Sequence, residues 1–425
     1  MPLIVKSFTE SSLKSVMRRS DFKKDASGVF EPDRAELGRD ALDWTMGDTR
    51  GRLAISSQLS KGRQVFKHSE LAQELALRLS VRNLIAGAGL SFSNRNLVTR
   101  AVQSVLQGAS AYTVIRLDVK EFYASFQHEP VRQKVLSDNA RLGARTTSLI
   151  SEFLLGLQDK GISGLAPGLP LSGVLAEYMM ADFDSSARRH PEVDHYFRFV
   201  DDIFLLCSPD AIPQSVIADF KALLPPGLTL NTQKQSVLRL PKVGDRAASP
   251  ISKTHFEYLG YSYQPESVAW NGSQRDKFKE DWRRVNVDIA LAKVSKLKSR
   301  FVLSLLDYKR NPDIELLVAR VRCLTENFNF SDQRTGKRRS SGIYYNYPIL
   351  TDPLCGQLAK LDEFLHGVLF LGNGRLAVRM RRVLPMSARR KLAGFSFVRG
   401  HSSKRTQHLS VAQLSEIVGA WKHVE

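Results

Sequence analysis

The chain has 425 residues, of which 43% are hydrophobic and 25% charged, and its formal net charge is +19. Because folded domains usually span about 100 to 200 residues, this length predicts two or three substructures with a sizeable core. Lys and Arg outnumber Asp and Glu by 62 to 43. That excess favours a polyanionic partner, although ribosome association or simple solubility would also explain it.

Two features of the sequence bear on its cellular compartment. Cys207, Cys323 and Cys355 form no Cys-x-x-Cys pair, so neither a zinc ribbon nor a disulfide framework is indicated. No apolar stretch of 18 residues occurs, and no long apolar segment follows Met1. We therefore expect a cytoplasmic protein that has no membrane partner.

The amino-terminal third predicts helices. Residues 1–70 are a polar, charged extension in which no chemistry is evident. Residues 71–79 have a helix-forming composition, and residues 93–100 continue toward a second helix.

Residues 112–123 predict an apolar strand that carries Asp118, with two aromatic residues close behind this aspartate. A second such pattern covers residues 195–207, with Asp201 and Asp202 at the turn between two buried strands. An Asp-Asp pair alone would be read as an ordinary hairpin turn. Three carboxylates at neighbouring strand ends can instead hold two divalent cations about 4 Å apart, the geometry used in nucleotidyl transfer.

The helix predicted after Ser172 carries Asp182 and Asp184, which we interpret as its polar face. His195 is interpreted as a strand-edge residue rather than a metal ligand.

Beyond residue 272 the pattern favours long helices. Apolar residues recur at steps of three and four, with basic residues around them. The apolar set is Phe278, Trp282, Val285, Ile289 and Ala292, and the basic set is Lys277, Lys279, Arg283, Arg284 and Lys293.

The carboxyl-terminal region combines cations with aromatic rings, as single-stranded nucleic-acid binding sites do. Residues 334–348 join a basic loop to clustered tyrosines, and residues 375–405 contain ten Lys or Arg but no Asp or Glu. A basic tail that only contacts solvent is the alternative.

Five motifs in order, over roughly residues 90 to 265, resemble the reverse transcriptase family. Residues 117–123 resemble its first palm motif, and residues 199–202 its Tyr-x-Asp-Asp box with Phe at the first position. Residues 164–172 resemble its Gly-x-Pro-Gln-Gly-x-Pro-Leu-Ser loop, with Ala166-Pro167 in place of Pro-Gln. Residues 230–234 and 256–261 resemble the fourth palm motif and the primer-grip hairpin.

The resemblance implies an α+β fold, namely a right-hand polymerase whose fingers and palm contain an antiparallel sheet, with a helical thumb and a C-terminal α-helical region. The expected domains are an N-terminal extension over residues 1–70 and fingers and palm over 71–271. A helical thumb over 272–330 and a basic nucleic-acid-binding region over 331–425 would follow.

The resemblance also assigns roles to individual residues. Asp118, Asp201 and Asp202 would hold two Mg²⁺ ions, for which Mn²⁺ could substitute, and Lys234 would protonate the leaving pyrophosphate.

Four further residues would contact the nucleotide. Tyr123 would exclude a 2′-hydroxyl, Gly168 would allow close backbone approach, and Val119 would assist metal and nucleotide binding. Arg95, and Arg100 beside it, would bind the triphosphate, although a solvated helix face is the alternative.

The implied activity is cDNA synthesis from an RNA template with deoxynucleoside triphosphates. Residues 342–346 (Gly-Ile-Tyr-Tyr-Asn), and the lack of ribonuclease H, His-Asn-His, zinc-knuckle and retron patterns, resemble stand-alone bacterial reverse transcriptases of phage defence and abortive infection. That subfamily implies a dedicated, structured noncoding RNA. A group II intron maturase-like enzyme, or an RNA-binding scaffold with an inactive palm, are the alternatives, and the oligomeric state is left open.

Overall fold

The structure is a computed structural model that describes residues 7–22, 33–60, 62–243, 255–266, 282–332, 337–372 and 374–422. The predicted positions Lys277, Phe278 and Lys279 and residues 334–336 of the predicted basic loop lie outside this range. The described chain forms two compact units, one comprising residues 1–94 and 111–240 and the other residues 95–110 and 241–425. The four predicted domain boundaries stay predictions.

The α-helices of the described residues are, in chain order, α1 (Glu10–Lys14), α2 (Arg34–Thr45), α3 (Leu71–Ala88), α4 (Arg95–Leu106), α5 (His128–Ser137), α6 (Asn139–Leu142), α7 (Ala144–Asp159), α8 (Pro170–Ala187), α9 (Pro213–Leu223), α10 (Leu291–Arg310), α11 (Ile314–Thr325), α12 (Ile343–Asn346), α13 (Gln357–His366), α14 (Arg375–Val383), α15 (Met386–Ala393), α16 (Phe397–Ser403) and α17 (Val411–Gly419). Short 3₁₀ turns cover Arg19–Phe22, Arg50–Arg52 and Thr232–Lys234, and a π-helical turn covers Gly367–Leu371.

The strands of the described residues are β1 (Ile55–Ser60), β2 (Arg63–His68), β3 (Tyr112–Asp118), β4 (Val193–Phe199), β5 (Asp202–Cys207), β6 (Ser236–Leu240), β7 (Phe256–Tyr258), β8 (Tyr261–Pro265), β9 (Val285–Ile289), β10 (Asn327–Ser331), β11 (Arg338–Gly342) and β12 (Thr406–His408). The predicted helices at 71–79 and 93–100 and the predicted strands that flank the aspartates are confirmed.

The first unit is built on a four-stranded antiparallel sheet in the order β4-β5-β3-β6. Strand β5 is central, and every residue from Ile203 to Cys207 is fully buried, because helices cover the sheet. Helices α3, α7 and α8 contribute Leu77, Phe153 and Met180 to the same hydrophobic core. This burial fixes the register of β3 and β5, since a shift by one residue would turn their apolar side chains outward.

The second unit contains two three-stranded sheets, β7-β8-β9 and β11-β10-β12, and its own hydrophobic core. That core gathers apolar residues of α10, α11 and α13, among them Phe301, Val321 and Leu361. Helix α4 belongs to this unit although it lies far away in sequence, and the Tyr263 hydroxyl on β8 donates to the carbonyl of Thr99 at 3.2 Å.

The helical pattern predicted beyond residue 272 is wrong in part. Val285, Val287 and Ile289 are buried and alternate with partly exposed residues, because they lie on β9 rather than on a helix, and the helix begins only at Leu291. The expected surface cation Arg283 is 1% exposed. Its guanidinium donates to the carbonyls of Ser110 at 3.0 Å and Pro241 at 2.6 Å.

None of the helices in the described part of the chain combines the length and apolarity needed to cross a bilayer.

Candidate active site

Asp118 and Asp202 lie opposite each other on neighbouring strands. Asp118 is the last residue of β3 and Asp202 the first residue of β5, and the two are Cα partners in the antiparallel register. Their backbones are therefore about 5 Å apart, the spacing of directly opposed residues. Asp118 is only 3% exposed. The apolar strands thus bring two carboxylates to one sheet end, as the sequence predicts.

Asp201 is held beside this pair by a two-residue turn. Phe199 of β4 pairs with Asp202 of β5, so Val200 and Asp201 form the whole connection. The Val119 amide donates to the Asp201 carbonyl at 3.0 Å, which ties the turn to the end of β3. Val200 has φ of +59°, a conformation that is unfavourable for a β-branched residue.

The carboxylates are electrostatically crowded. Burial raises the pKa of Asp201, and the negative charges of Asp202 and Asp118 raise it further. Crowding of this kind disfavours ionisation unless a cation is close, because like charges repel more strongly where water is excluded.

Protein cations accompany the other two carboxylates. Lys234 Nζ donates to Asp118 Oδ1 at 2.8 Å, and Asn231 Nδ2 to Asp118 Oδ2 at 3.2 Å. Arg116 Nη2 donates to Asp202 Oδ1 at 3.0 Å. The predicted Lys234 is therefore brought into the cluster, with about half of its side chain exposed.

The described residues contain no group of three or more His, Cys, Asp or Glu side chains arranged, as they stand, to hold a metal ion. The donor chemistry nevertheless fits a hard divalent cation, since it consists of carboxylate oxygens at adjoining backbone positions and includes one carboxyl with a raised pKa. The two predicted Mg²⁺ ions stay a prediction, and Lys234 and Arg116 would have to release or share their carboxylates.

Tyr123 lies near the aspartate turn. Its ring packs edge-on against Phe122, with 5.3 Å between centroids, and is half-buried. Burial raises the pKa of its hydroxyl, and the charges of Glu177 and Asp201 add to that effect. The predicted sugar-sensing residue and the predicted metal ligand are thus neighbours, and the role of Tyr123 stays a prediction.

Gly168 adopts φ of +98° where the loop before α8 meets the β1–β2 hairpin. A Cβ atom there would lie 2.6 Å from the carbonyl oxygen of Phe66, so only glycine fits. The Phe66 amide donates to the Pro167 carbonyl at 2.8 Å, which fixes this contact. The close approach seen is therefore to strand β2, and the predicted contact with a nucleotide is untested.

Arg95 belongs to the second unit, where it begins α4. Its guanidinium donates to the Leu259 carbonyl at 2.5 Å and to the Asn346 carbonyl at 3.1 Å, and it lies 5.0 Å from the ring centroid of Tyr261. With a further bond from Nε to the Leu259 carbonyl at 3.0 Å, these contacts use three of the five N–H groups of Arg95, and its phosphate binding stays a prediction. Arg100 is exposed on the same helix.

Sequence reasoning missed the charged residues that support the turn. Asp184, interpreted as part of a polar helix face, accepts two hydrogen bonds from Arg198. Glu177 on α8 accepts two more, and Arg116 and Asn231 contact the aspartates directly. One signal was available, because Arg198 is a charged residue within the run of residues 196–199, which is otherwise aromatic.

Comparison with known proteins gives one family match. Residues 60–263 match the family described as "Reverse transcriptase (RNA-dependent DNA polymerase)", a span of just under half of the chain. No curated protein matches the chain in a sequence comparison.

Among solved structures, one neighbour is an apo telomerase from Candida tropicalis truncated from its C-terminal domain. It shows 14% identity and a TM-score of 0.32, over 49% of this chain and 52% of that one. A second is telomerase from the same organism in complex with a fragment of telomeric RNA, at 12% identity and a TM-score of 0.33, over 95% of this chain and 67% of that one.

The present chain thus spans about half the length of the first telomerase chain, and both TM-scores are too low to bear on function. The family match and the observed elements agree on the fold class, a polymerase-like α+β architecture with antiparallel sheets and many helices. Residues 60–263, which match the reverse transcriptase family, include all three aspartates.

Proposed function

We propose that the protein is an RNA-directed DNA polymerase that copies a dedicated, structured noncoding RNA into cDNA from deoxynucleoside triphosphates. The observation that carries the proposal is the placement of Asp118, Asp201 and Asp202 at adjoining ends of β3 and β5, within the segment that matches the reverse transcriptase family. Acids crowded at one sheet end are costly to keep ionised unless a cation offsets them, and nucleotidyl transfer uses such cations.

In this mechanism Asp118 and Asp201 would bind both metal ions, and Asp202 would add negative charge beside them. When bound, two Mg²⁺ ions lower the pKa of the attacking hydroxyl and neutralise the triphosphate. Lys234 Nζ, which contacts Asp118 in the structure, would pass a proton to the leaving pyrophosphate. Val119, whose amide holds the Asp201 carbonyl, would keep the metal ligands and the nucleotide in register.

The remaining predicted residues would select and hold the substrates. Tyr123 would exclude ribonucleotides by contact with the sugar, and Gly168 would let the loop before α8 approach the new base pair. Arg95 would bind the triphosphate through its other N–H groups or by exchanging its carbonyl partners Leu259 and Asn346.

The basic second unit would bind the RNA and the growing duplex. Its exposed arginines include Arg375, Arg379 and Arg382 on α14, within a segment that has ten basic and no acidic residues. Cations on such a surface bind phosphates and release counterions, which favours nucleic acid over other partners. The division into a thumb over 272–330 and a basic region over 331–425 belongs to this proposal.

The decisive experiment measures incorporation of labelled deoxynucleotides with Mg²⁺, using the RNA that co-purifies with the protein. The wild-type protein should extend a product, whereas the double variant Asp201→Ala and Asp202→Ala should not. Asp182→Ala is the matched control, because this carboxylate lies on α8 with its side chain 86% exposed.

Two other results would change the assignment. Equal incorporation by the wild type and the double variant, or none by either with intact bound RNA, would favour a non-catalytic RNA-binding scaffold. Enrichment of a self-splicing intron among the bound RNAs would favour a maturase-like enzyme.

We extend the proposal to antiphage defence in the bacterial cytoplasm, where deoxynucleotides are available. The Gly-Ile-Tyr-Tyr-Asn segment at residues 342–346, which in the structure joins β11 to α12, supports this subfamily. Expression of the wild-type protein with its RNA should lower phage plaque numbers, and the Asp201→Ala and Asp202→Ala variant should restore them. Equal plaque numbers with both proteins would remove defence from the assignment.

A further inference from the structure

Arg198 is a buried cation three residues before Asp201. It lies on β4 within an aromatic run and is 7% exposed. Burying a guanidinium in this way is unfavourable unless negative charges neutralise it and all its N–H groups have acceptors.

All five N–H groups of Arg198 have acceptors. Nε and Nη2 donate to the two carboxylate oxygens of Asp184, each at 2.7 Å. Nη2 and Nη1 donate to the two oxygens of Glu177, at 2.6 and 3.2 Å. The fifth bond runs from Nη1 to the carbonyl oxygen of Val200 at 2.9 Å. Both acids lie on α8, so Arg198 connects that helix to the turn.

The bond to Val200 is the one that bears on the site. Val200 is held at φ of +59°, a conformation that is unfavourable for a β-branched residue and persists only where its surroundings enforce it. Arg198 holds the Val200 carbonyl, and the Val119 amide holds the next carbonyl, that of Asp201. Both peptide groups of the two-residue turn are therefore fixed, one by each neighbouring strand.

We propose that Arg198 is a positioning residue that, held by Glu177 and Asp184, locks the strained turn and so sets the direction of the Asp201 carboxylate. The proposal rests on the proposed function, in which Asp201 binds metal. Lysine cannot replace arginine here, because an ammonium group offers three donors without the planar fork that reaches two carboxylates and a carbonyl at once. Tyr123, whose hydroxyl senses the charges of Glu177 and Asp201, borders the same network.

The chain offers a matched control. Arg78 on α3 is also 7% exposed and is also held by two carboxylates, with 2.6 Å contacts to Asp21 and Glu74. Neither of these two partners belongs to the aspartate turn. Arg198→Lys and Arg78→Lys therefore make the same chemical change at equal burial. An effect that came only from lost protein stability should be similar in the two variants.

The test measures Mn²⁺ binding by electron paramagnetic resonance, together with kcat and KM for nucleotide incorporation, on folded full-length protein. Arg198→Lys should weaken Mn²⁺ binding roughly tenfold and lower kcat, with partial recovery of kcat at high Mn²⁺. Arg78→Lys should lower only the melting temperature. Wild-type Mn²⁺ affinity and kcat in Arg198→Lys would overturn the proposal.

Two further variants complete the design. Asp184→Asn keeps the shape of an Arg198 partner but removes its charge, so it should weaken Mn²⁺ binding to a smaller extent. If Arg198→Lys does not fold, wild-type Mn²⁺ affinity in Asp184→Asn overturns the proposal. Asp201→Asn distinguishes a failure of the Arg198 proposal from a failure of the proposed function. Unchanged Mn²⁺ binding in that variant would refute metal binding by Asp201 itself, independently of Arg198.

Discussion

At the residue scale, the proposed contact of Tyr123 with the sugar of an incoming nucleotide can be tested directly. The ring is fixed by its edge-on contact with Phe122, and its hydroxyl lies within the field of Asp201 and Glu177. If Asp201 binds metal as proposed, a rigid side chain beside it would discriminate between substrates by shape.

We therefore predict that Tyr123→Val increases ribonucleotide incorporation relative to deoxynucleotide incorporation by about tenfold or more. The measurement is the ratio of kcat/KM for the two substrates. Tyr123→Phe is the control, because it keeps the ring and should keep the selectivity. An unchanged ratio in Tyr123→Val would mean that the ring does not contact the sugar.

His68 gives a second prediction, on stability. Burial lowers the pKa of its imidazole to about 4, and the nearby Arg78 lowers it further whereas Glu74 raises it. The ring nitrogen Nδ1 lies 2.7 Å from Gln73 Nε2, which must donate, so the neutral ring accepts this bond. Protonation would cost the folded protein both this hydrogen bond and the desolvation of a charge.

Because the folded pKa lies below the unfolded value near 6.5, this contribution to stability is complete above pH 6.5 and is lost as the pH falls toward 4. The loss should reach about 2 to 3 kcal/mol. His68→Asn keeps an acceptor for Gln73 but does not titrate. Urea unfolding at pH 7.5 and 4.5 should show a smaller loss of unfolding free energy in that variant than in the wild type, and parallel losses would contradict the prediction.

At the scale of single elements, helix α14 shows that basic residues close together in sequence serve different purposes. Arg381 donates to the carbonyls of Phe370 at 3.1 Å and Gly372 at 2.8 Å, at the end of the π-helical turn. Arg379 and Arg382 on the same helix are exposed. The first arginine therefore stabilises the fold, and the other two are available to a partner.

We predict that changing Arg379 and Arg382 together to Ala weakens RNA binding and lowers the slope of log K against log salt by up to about two, since each lost phosphate contact removes close to one released ion. Arg381→Ala should instead lower the melting temperature and leave the salt slope unchanged. Filter binding at several salt concentrations and thermal unfolding separate the two effects. Equal salt slopes in the wild type and the double variant would remove α14 from the RNA surface.

Strand β9 shows where sequence patterns mislead at this scale. Val285 and Ile289 are four residues apart, a spacing that fits the period of a helix. It also fits the period of two of a strand, in which Val287 lies between them on the same buried face. Pairing with β8 decides between the two, and pairing is a property of distant chain segments. The same long-range effect explains Arg283, which is buried because its donors find carbonyls at Ser110 and Pro241.

At the scale of the whole molecule, the aspartate site was predictable because local sequence determines it. Apolar strands of matched length end in Asp118 and begin with Asp202, and a two-residue turn leaves little choice of register. The support of the site was less accessible, since Arg198, Glu177 and Arg116 find their partners only after α8 and the sheet have packed. The division into units was also hidden, because α4 lies before β3 in sequence yet belongs with β8 and β9.

This discontinuity leads to a prediction about the intact chain. The buried side chains of α4 include Val98, Val102 and Leu106, and the Leu106 carbonyl lies 3.4 Å from Arg283 Nη1. A protease site engineered between residues 243 and 255 would leave α4 on one fragment and its partners in the second unit on the other. The two fragments should therefore stay together after cleavage.

Size-exclusion chromatography of the cleaved protein under native conditions tests this expectation. Both fragments should elute in one peak, because burial of the apolar face of α4 holds the carboxyl-terminal fragment in place. The matched variant Val102→Asp puts a charge at a position that is 0% exposed, so its fragments should separate after the same cleavage. If the cleaved protein without that substitution gave separate peaks, α4 would not bind the rest of the second unit tightly enough to join the fragments.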